Sequence, residues 1–293
     1  MGIAKDVHVK KGIQAHTLAD LHGQHRAIEV LSPVARDLRA MAAGDHVKDI
    51  PWGALLHGPQ GTGKTMAAAC LAGSAGVPLI STSYSSWQAG GHLGDCLRNM
   101  RSDFAHAREL GVCVLLIDEI DAVRARSKRD DQGASYQGAV LNGMLEEIGK
   151  LTSVPGVFLL GASNHPDLLD PALVRTGRFD AKIPFSMPDI AAHEAILRGA
   201  LGKALPATDL KPLAAQLSGQ PGFDGPAAVR DAKSKARAKG RDLTGPDLRA
   251  ALDRIASAPD PALDWRMAVH EAGPAMCAIY LGHPAPERVA SGR

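Results

Sequence analysis

The sequence predicts an α/β fold in which a parallel sheet is flanked by helices and followed by a small all-helical domain. Between residues 17 and 188, short apolar runs alternate with helix-like stretches, which is the pattern of βαβ units. After residue 188 the chain becomes rich in alanine, and no strand candidate remains. A chain of 293 residues is long enough for one sizeable core and a smaller unit.

Four apolar runs are the candidate buried strands of the sheet. They are GALLHG (53–58), VPLIST (77–82), VCVLLID (112–118) and GVFLLGAS (156–163). Each run is followed by a polar or glycine-rich turn, and a parallel α/β sheet binds its ligands at the carboxyl ends of its strands. We therefore expect the functional residues in these turns.

Four later segments have apolar residues at helical spacing: AAHEAILRGAL, DLKPLAAQLSG, GPAAVRDAKSKARAKG and TGPDLRAALDRIAS. Thr244 and Asp247 form a capping-box pattern at the start of the last segment. The prolines of SAPDPAL (257–263) indicate a linker. The expected domains are an N-terminal tail (1–16), a large α/β domain (17–188), a helical domain (189–258) and a linker with a short last segment (259–293).

Composition argues against several classes of partner. The formal net charge is +2, and the basic stretch at 230–241 lacks the interleaved aromatic residues that stack on bases, so we expect a solvated helix face and no nucleic acid. No apolar run approaches the ~20 residues that span a bilayer, and the N-terminus lacks the apolar core of a signal peptide. The expected location is cytoplasmic, without a membrane segment.

The four cysteines form no CxxC pair, which is typical of free thiols in a reducing compartment.

A phosphate-binding loop, or P-loop, is predicted at GPQGTGKT (58–65), because this segment follows a strand and opens the helix TMAAACLAG. In such a loop, backbone amides and the helix N-terminus surround phosphate oxygens, while Lys64 reaches the β and γ phosphates and Thr65 binds Mg²⁺. A glycine-rich turn with an exposed lysine is the alternative, which the strand, loop and helix context disfavours. The expected nucleotide-binding residues are Gly58, Pro59, Gln60, Gly61, Thr62, Gly63, Lys64, Thr65 and Met66.

The second half of such a site is expected in VLLIDEID (114–121). Asp118 ends the strand and would hold the Mg²⁺ shell, and Glu119 would orient and deprotonate the attacking water. Asn164 ends another apolar strand, and its amide could hydrogen-bond both water and the γ phosphate. Without the P-loop upstream, a solvated strand end and an asparagine in a turn before Pro166 would be the favoured interpretations.

Together these residues resemble a known family. GPQGTGKT, LLIDEIDAV, GASNHPDLLDPALVRTGRFD and GQPGFDGPAAV occur in the order and approximate spacing of the AAA ATPases, and residues 17–258 resemble that module as a whole. The best likeness within the family is to the FtsH-type AAA proteases, in which a zinc peptidase that opens with HEAGH follows the ATPase module. The resemblance implies ATP and Mg²⁺ as ligands and ATP hydrolysis as the activity.

The resemblance also assigns residues outside the two phosphate motifs. Arg175 and Arg178 would reach the nucleotide of a neighbouring subunit, which implies a homo-oligomeric ring, expected to be a hexamer. Gly23, in the segment LHG (21–23), would lie beside the adenine, and Gly222 and Gly225 would belong to a lid turn that closes over it.

The loop that grips substrate in the family departs from the family pattern here. The family has an aromatic residue, a hydrophobic residue and a glycine after the second strand, whereas this chain has STSYSSWQAGGHLGD (81–95). Trp87 is the only bulky candidate, and a simple alignment places Ala89 at the aromatic position. Trp87 is therefore either a pore residue or a packing residue.

A zinc-peptidase motif is incomplete in HEAGP (270–274). In HExxH, two histidines on one helical face bind zinc and the glutamate activates the bound water. His270 and Glu271 are present, but Pro274 removes the second imidazole and, inside a helix, costs ~3 kcal/mol or more. The sequence also stops at Arg293, before the acidic third ligand of the family. We expect no zinc binding and no peptidase activity from this chain alone, and a chelator-sensitive peptidase activity would contradict this.

Three functions are compatible with these features. The leading hypothesis is a Mg²⁺-dependent ATPase that works as a ring and remodels or unfolds protein substrates. The second is a nucleotide-regulated binding module that acts on an intact homologue or on a homologous protease subunit. The third is an active ATP-dependent zinc metallopeptidase, which Pro274 and the early C-terminus disfavour. The missing membrane helices of the family imply either a soluble derivative or a fragment.

Overall fold

A computed structural model describes residues 9–10, 16–47, 51–123, 131–152, 154–175 and 178–256. The strands are Val9–Lys10 (β1), Gly53–His57 (β2), Leu79–Ser83 (β3), Cys113–Asp118 (β4), Val157–Ser163 (β5) and Ala181–Pro184 (β6). They form one sheet with the order β1-β3-β4-β5-β2-β6. β1 pairs antiparallel with β3, and all other neighbours in the sheet are parallel.

Helices cover both faces of this sheet and continue after it. Those within the sheet region are His25–Ala42 (α1), Lys64–Ala75 (α2), Tyr84–Trp87 (α3), Leu93–Leu110 (α4) and Asp131–Leu151 (α5). Those after the sheet, called the C-terminal helices below, are Ile190–Leu201 (α6), Lys211–Ala215 (α7), Asp224–Ala238 (α8) and Gly245–Ala256 (α9). Within the described ranges, no helix combines the length and the apolar character that a membrane span requires.

Strands β2, β4 and β5 are apolar along most of their length because helices bury both faces of the sheet. In β4, Val114 and Leu116 join the apolar cluster beneath α1 and α2, whereas Leu115 and Ile117 join the cluster beneath α4 and α5. The C-terminal helices share a third apolar cluster of their own. Its members include Leu197 of α6, Leu213 of α7, Val229 of α8 and Leu252 of α9.

The predicted fold class is confirmed, and the four predicted strands correspond to β2, β3, β4 and β5. The sequence did not predict β1 and β6. β6 lies at the edge of the sheet, where Lys182 and Pro184 are exposed and only Ile183 is fully buried. An edge strand with one buried side chain carries too short an apolar run to be recognised.

The hydrogen bonds described at the start of α9 include the Asp247 side of the predicted capping box. The Asp247 carboxylate accepts from the backbone N–H and from the hydroxyl of Thr244. Arg241 donates to both oxygens of the same carboxylate. These hydrogen bonds, led by those from Arg241, hold the pKa of Asp247 below its usual range.

Candidate functional site

The P-loop connects β2 to α2 at the carboxyl edge of the sheet. Gly58, Gly61 and Gly63 have φ angles of 145°, 80° and 98°, in the left-handed region that favours glycine. At Gly58, a Cβ atom would also lie 2.1 Å from the carbonyl oxygen of Phe185. The turn therefore requires glycine, and it ends at a helix N-terminus, which favours an anion.

Lys64, the first residue of α2, is held beneath this loop with a relative exposure of 7%. Its Nζ donates hydrogen bonds to the carbonyl oxygens of Gly58 (2.8 Å) and Pro59 (2.7 Å). Burial lowers the pKa of the ammonium group, and the carboxylates of Asp118 and Asp121 oppose that change. An incoming phosphate oxygen can replace a loop carbonyl as the acceptor, since a charged acceptor makes the stronger hydrogen bond.

Thr65 and Asp118 are 53 residues apart in sequence but in direct contact. The Thr65 hydroxyl donates to Asp118 Oδ2 over 2.7 Å, and the backbone N–H of Glu119 donates to Asp118 Oδ1 over 2.9 Å. Hydroxyl and carboxylate oxygens are ligands that Mg²⁺ accepts, and this ion usually completes its shell with water and substrate phosphates. The residues present therefore fit a Mg²⁺ ion that binds together with a phosphate.

A metal site built from protein side chains alone is a separate question. Among the residues that the structure describes, no group of three or more His, Cys, Asp or Glu side chains could hold a metal ion. His270 and Glu271, the two zinc-type residues of the sequence, lie outside the described residues. The expectation that zinc does not bind therefore stays a prediction.

Glu119 has an unusual backbone conformation, with φ of 51° and ψ of 44°. A non-glycine residue in this region costs on the order of 1 kcal/mol, and such residues cluster at functional sites. Its side chain is exposed, although the strand before it and Ile120 after it are buried. An exposed carboxylate at a strained position beside Asp118 fits a chemical role better than a packing role.

Asn164 follows the last residue of β5, the strand that lies between β2 and β4. Ser163 pairs in register with His57, the residue before the P-loop, and on its other side β5 pairs with β4, which ends at Asp118. This order places Asn164 at the carboxyl edge of the sheet between the P-loop and Asp118. Its side chain is half-buried.

The turn before α8 contacts the P-loop. The backbone N–H of Gly222 donates to the carbonyl oxygen of Gly61 over 3.0 Å. A Cβ atom at Gly61 would lie 2.5 Å from Pro221 Cβ and 2.8 Å from the ring of Phe223. Gly225 lies elsewhere, because it is buried in α8 among apolar side chains of the C-terminal helices. Of the two predicted lid glycines, the structure brings only Gly222 to the P-loop.

Comparison with known proteins identifies this part of the chain. Residues 54–187 match the model of the ATPase family associated with various cellular activities (AAA). They form an AAA ATPase domain. The matched range contains the P-loop, Asp118, Glu119 and Asn164, whereas GQPGFDGPAAV (219–229), the last segment of the resemblance, lies after it.

The chain is also similar to ATP-dependent zinc metalloproteases called FtsH. It is 38% identical over 266 residues to FtsH of Mycobacterium tuberculosis, a match that covers 88% of this chain and 34% of that protein. It is 38% identical over 285 residues to FtsH 3 of Sphaerobacter thermophilus (93% and 58%), and 41% identical over 243 residues to FtsH 2 of Symbiobacterium thermophilum (78% and 41%). The chain thus spans between 34% and 58% of the length of these relatives. The resemblance to FtsH-type proteins is confirmed.

The segment before α1 packs between the AAA domain's P-loop and α6. Gly23 has a φ of 78°, and a Cβ atom there would lie 2.7 Å from Ala192 Cβ in α6. Gln24 is buried, and its side chain hydrogen-bonds to the P-loop residue Thr62. The sequence gives no signal for Gln24, since one glutamine at the start of a helix carries no recognisable motif. Met66, which was predicted to bind nucleotide, is 39% exposed in the first turn of α2.

Arg178, one of the two arginines predicted to reach a neighbouring nucleotide, does not lie beside the P-loop of its own chain. A Cβ atom at Gly53, where β2 begins, would lie 2.9 Å from the carbonyl oxygen of Arg178, and Arg178 Nη1 donates to the carbonyl oxygen of Ala172. The P-loop starts at the other end of β2, which at about 3.3 Å per residue is roughly 15 Å away. Arg175, in the same segment, is exposed.

Trp87 is a packing residue, so the pore alternative is wrong for it. Its side chain is 1% exposed, and the indole Nε1 donates to Asp103 Oδ2 over 2.8 Å. The hydroxyl of Thr82 donates to the same oxygen over 2.6 Å, and the ring centroids of Trp87 and Phe104 are 6.4 Å apart. The indole is anchored between α3 and α4 and does not face solvent.

Proposed function

We propose that the chain is a Mg²⁺-dependent ATPase that works as a homo-oligomeric, hexameric ring and uses hydrolysis to unfold or remodel protein substrates. The observation that carries this proposal is the contact between Thr65 and Asp118 beside the buried Lys64. These two motifs are distant in sequence, yet they bring together the ammonium group of Lys64, the oxygen ligands of Thr65 and Asp118, and the N-terminus of α2. A glycine-rich turn without phosphate-binding function would not require this arrangement.

In the proposed reaction, each side chain has one task. Lys64 donates to the phosphate oxygens, while Thr65 and Asp118 hold Mg²⁺, which neutralises negative charge on those oxygens when bound. Water attacks the γ phosphorus as the bond to the β,γ-bridging oxygen breaks, and Glu119 takes the proton from the water. Asn164 orients that water from the adjacent strand end. ADP and inorganic phosphate are the products.

The position of Arg178 supports the proposed ring. Arg178 lies at the amino edge of the sheet, about one strand length from the P-loop of its own chain, which supports a role at the nucleotide of a neighbouring subunit. An arginine that stabilises the transferred phosphate can contribute ~10³ to 10⁵ in rate. A head-to-tail contact of this kind generates a ring when the rotation between neighbouring subunits closes. We assign the same role to Arg175.

Turnover per subunit as a function of protein concentration tests the ring, with light scattering on the same samples. We expect turnover to rise as the chain assembles and to collapse in Arg178→Ala, while the exposed Arg230 of α8 provides a control variant, Arg230→Ala, with normal turnover. Turnover that is independent of concentration, or equal in the wild type and in an assembled Arg178→Ala protein, would refute the role of Arg178.

Glu119→Gln tests the proposed base. The amide keeps the shape of the side chain but cannot accept a proton, so hydrolysis should fall by ~10² to 10⁴ while ATP still binds. Glu109→Gln, at an exposed position of α4, is the matched control and should hydrolyse ATP normally. Unchanged turnover in Glu119→Gln would remove Glu119 from this role.

A second candidate is a nucleotide-regulated binding module that acts on an intact homologue or protease. The observation that favours it is the burial of Trp87, because the loop after it is Gln88, Ala89, Gly90 and Gly91 and offers no large apolar side chain to grip a polypeptide. Addition of an FtsH homologue distinguishes the two candidates. ATPase activity that appears only with the homologue supports the binding module, whereas full activity of the chain alone supports the autonomous ring.

A further inference from the structure

We propose that Gln24 is a positioning residue that couples the P-loop to the connection between β6 and α6. The proposal rests on the nucleotide site described above and concerns how that site is held in shape. Gln24 immediately precedes α1, and its side chain is buried, with a relative exposure of 4%. A neutral amide that is buried at this depth must satisfy its donors and its acceptor inside the protein.

The partners of Gln24 come from two separate parts of the chain. Its Nε2 donates to the carbonyl oxygens of Thr62 (3.2 Å) and Ser186 (2.8 Å), and its Oε1 accepts from the backbone N–H of Ser186 at 3.4 Å. Thr62 belongs to the P-loop, whereas Ser186 lies just after β6 in the segment that leads to α6. One side chain thus joins two backbone segments that are far apart in sequence.

The contact with Thr62 determines the direction of a P-loop amide. A peptide unit is planar and trans, so the carbonyl of Thr62 and the N–H of Gly63 point in opposite directions. When Gln24 holds the Thr62 carbonyl on its own side, the Gly63 N–H must point away from it. Gly63 is the N-cap of α2 with a φ of 98°, and its N–H has no acceptor within the described part of the chain. This N–H is available to a phosphate oxygen.

The contact with Ser186 links that amide to the C-terminal helices. The residue before Ser186, Phe185, already touches the P-loop, since a Cβ atom at Gly58 would lie 2.1 Å from its carbonyl oxygen. Three residues after Ser186, Asp189 caps α6 by accepting from the backbone N–H of Ala192 over 2.7 Å. A movement of α6 is therefore transmitted through Ser186 and Gln24 to the peptide unit between Thr62 and Gly63.

Glutamine is suited to this position because it has two amide hydrogens and one carbonyl oxygen at the end of the same side chain. Glutamate would place a carboxylate against two carbonyl oxygens. Methionine has a similar length and fits a buried site, but it donates no hydrogen bond. Gln24→Met therefore removes the link with little change in packing.

The experiment measures ADP affinity by calorimetry and thermal stability with and without ADP. We expect Gln24→Met to weaken ADP binding roughly tenfold, since a lost hydrogen bond leaves the P-loop carbonyl free to turn. The temperature of unfolding without ADP should fall modestly, because the carbonyl oxygens of Thr62 and Ser186 lose a buried donor. The ADP-induced increase should shrink in addition. Gln216→Met, at an exposed position after α7, is the matched control and should behave like the wild type.

Lys64→Ala separates failure of this inference from failure of the nucleotide site. If the wild type binds ADP and Lys64→Ala does not, the site is as proposed, and an unchanged ADP affinity in Gln24→Met would overturn the coupling role alone. Equal losses of stability with and without ADP would also overturn it, because they indicate only a structural role. If the wild type does not bind ADP, or if Lys64→Ala binds it normally, the nucleotide site and this inference both fail.

Hydrogen exchange of the wild-type protein gives a test that does not depend on a folded variant. Peptides that contain Gly63 and peptides that contain Ser186 should both become protected when ADP is added, because Gln24 joins the two segments. Protection of the P-loop peptide without any change at Ser186 would overturn the coupling.

Discussion

Truncation of Trp87 should destabilise the AAA domain strongly, whereas a pore residue could be truncated without loss of stability. The side chain is 1% exposed and packs against Phe104. An aromatic side chain buries roughly 150–250 Å², which at about 25 cal/mol per Å² corresponds to about 4–6 kcal/mol for complete burial. Because alanine keeps part of this contact, we expect Trp87→Ala to cost about 3–5 kcal/mol.

Trp87→Phe separates the ring from its hydrogen bond. Phenylalanine retains most of the apolar contact but loses the bond from the indole N–H to Asp103. That carboxylate keeps its hydrogen bond from Thr82, so it is not left without a partner. The expected cost is about 1–2 kcal/mol, at the level of one hydrogen bond and a small cavity.

Urea denaturation followed by circular dichroism measures both effects. With an m value of up to about 3 kcal/mol/M, Trp87→Ala should lower the midpoint by roughly 1 M or more. His92→Ala, at an exposed position five residues later, is the control and should remain within about 0.5 kcal/mol of the wild type. A Trp87→Ala protein with wild-type stability but impaired unfolding of a protein substrate would refute the packing assignment.

Three further predictions concern other parts of the molecule. Gly61→Ala should weaken ADP binding in calorimetry, because its Cβ atom would lie 2.5 Å from the turn before α8, while Gly94→Ala, where nothing lies within 4 Å, should not. Burial lowers the pKa of His193 below its usual 6.5, so protonation favours the unfolded chain. Its contribution to stability should be complete above about pH 6.5 and decline as the pH falls below it, and the unfolding temperature of His193→Gln should decline less between pH 7 and pH 5. Burial also raises the pKa of Cys70 and Cys113 to about 12, so both thiols should react with a disulfide reagent only after denaturation; rapid reaction of the native protein would contradict their burial.

The pattern of the sequence was sufficient for the local elements of the sheet region and for the resemblance to the AAA ATPases. Strands β2, β4 and β5 contain continuous apolar runs because both faces of the sheet are covered, and the turns after them contain the residues that we assign to phosphate chemistry. The P-loop, in particular, is one contiguous segment whose glycines are required by its own backbone angles. Such features can be predicted from the sequence because their physical cause lies within a few neighbouring residues.

Features that depend on contacts between residues distant in sequence could not be predicted from such local patterns. Strand β6 is held by its pairing with β2 rather than by an apolar run of its own. The sequence left two roles open for Trp87, and burial against α4 and a hydrogen bond to Asp103 decided between them.

The role of Gln24 also depends on contacts with residues that are distant in sequence. Its partners at Thr62 and Ser186 are 38 and 162 residues away in sequence, so no local spacing rule could connect them. Periodicity and motif spacing reflect interactions between residues that are close in sequence. The burial of a single polar or aromatic side chain is decided by which distant backbone segments the fold brings against it, and only the tertiary structure contains that information.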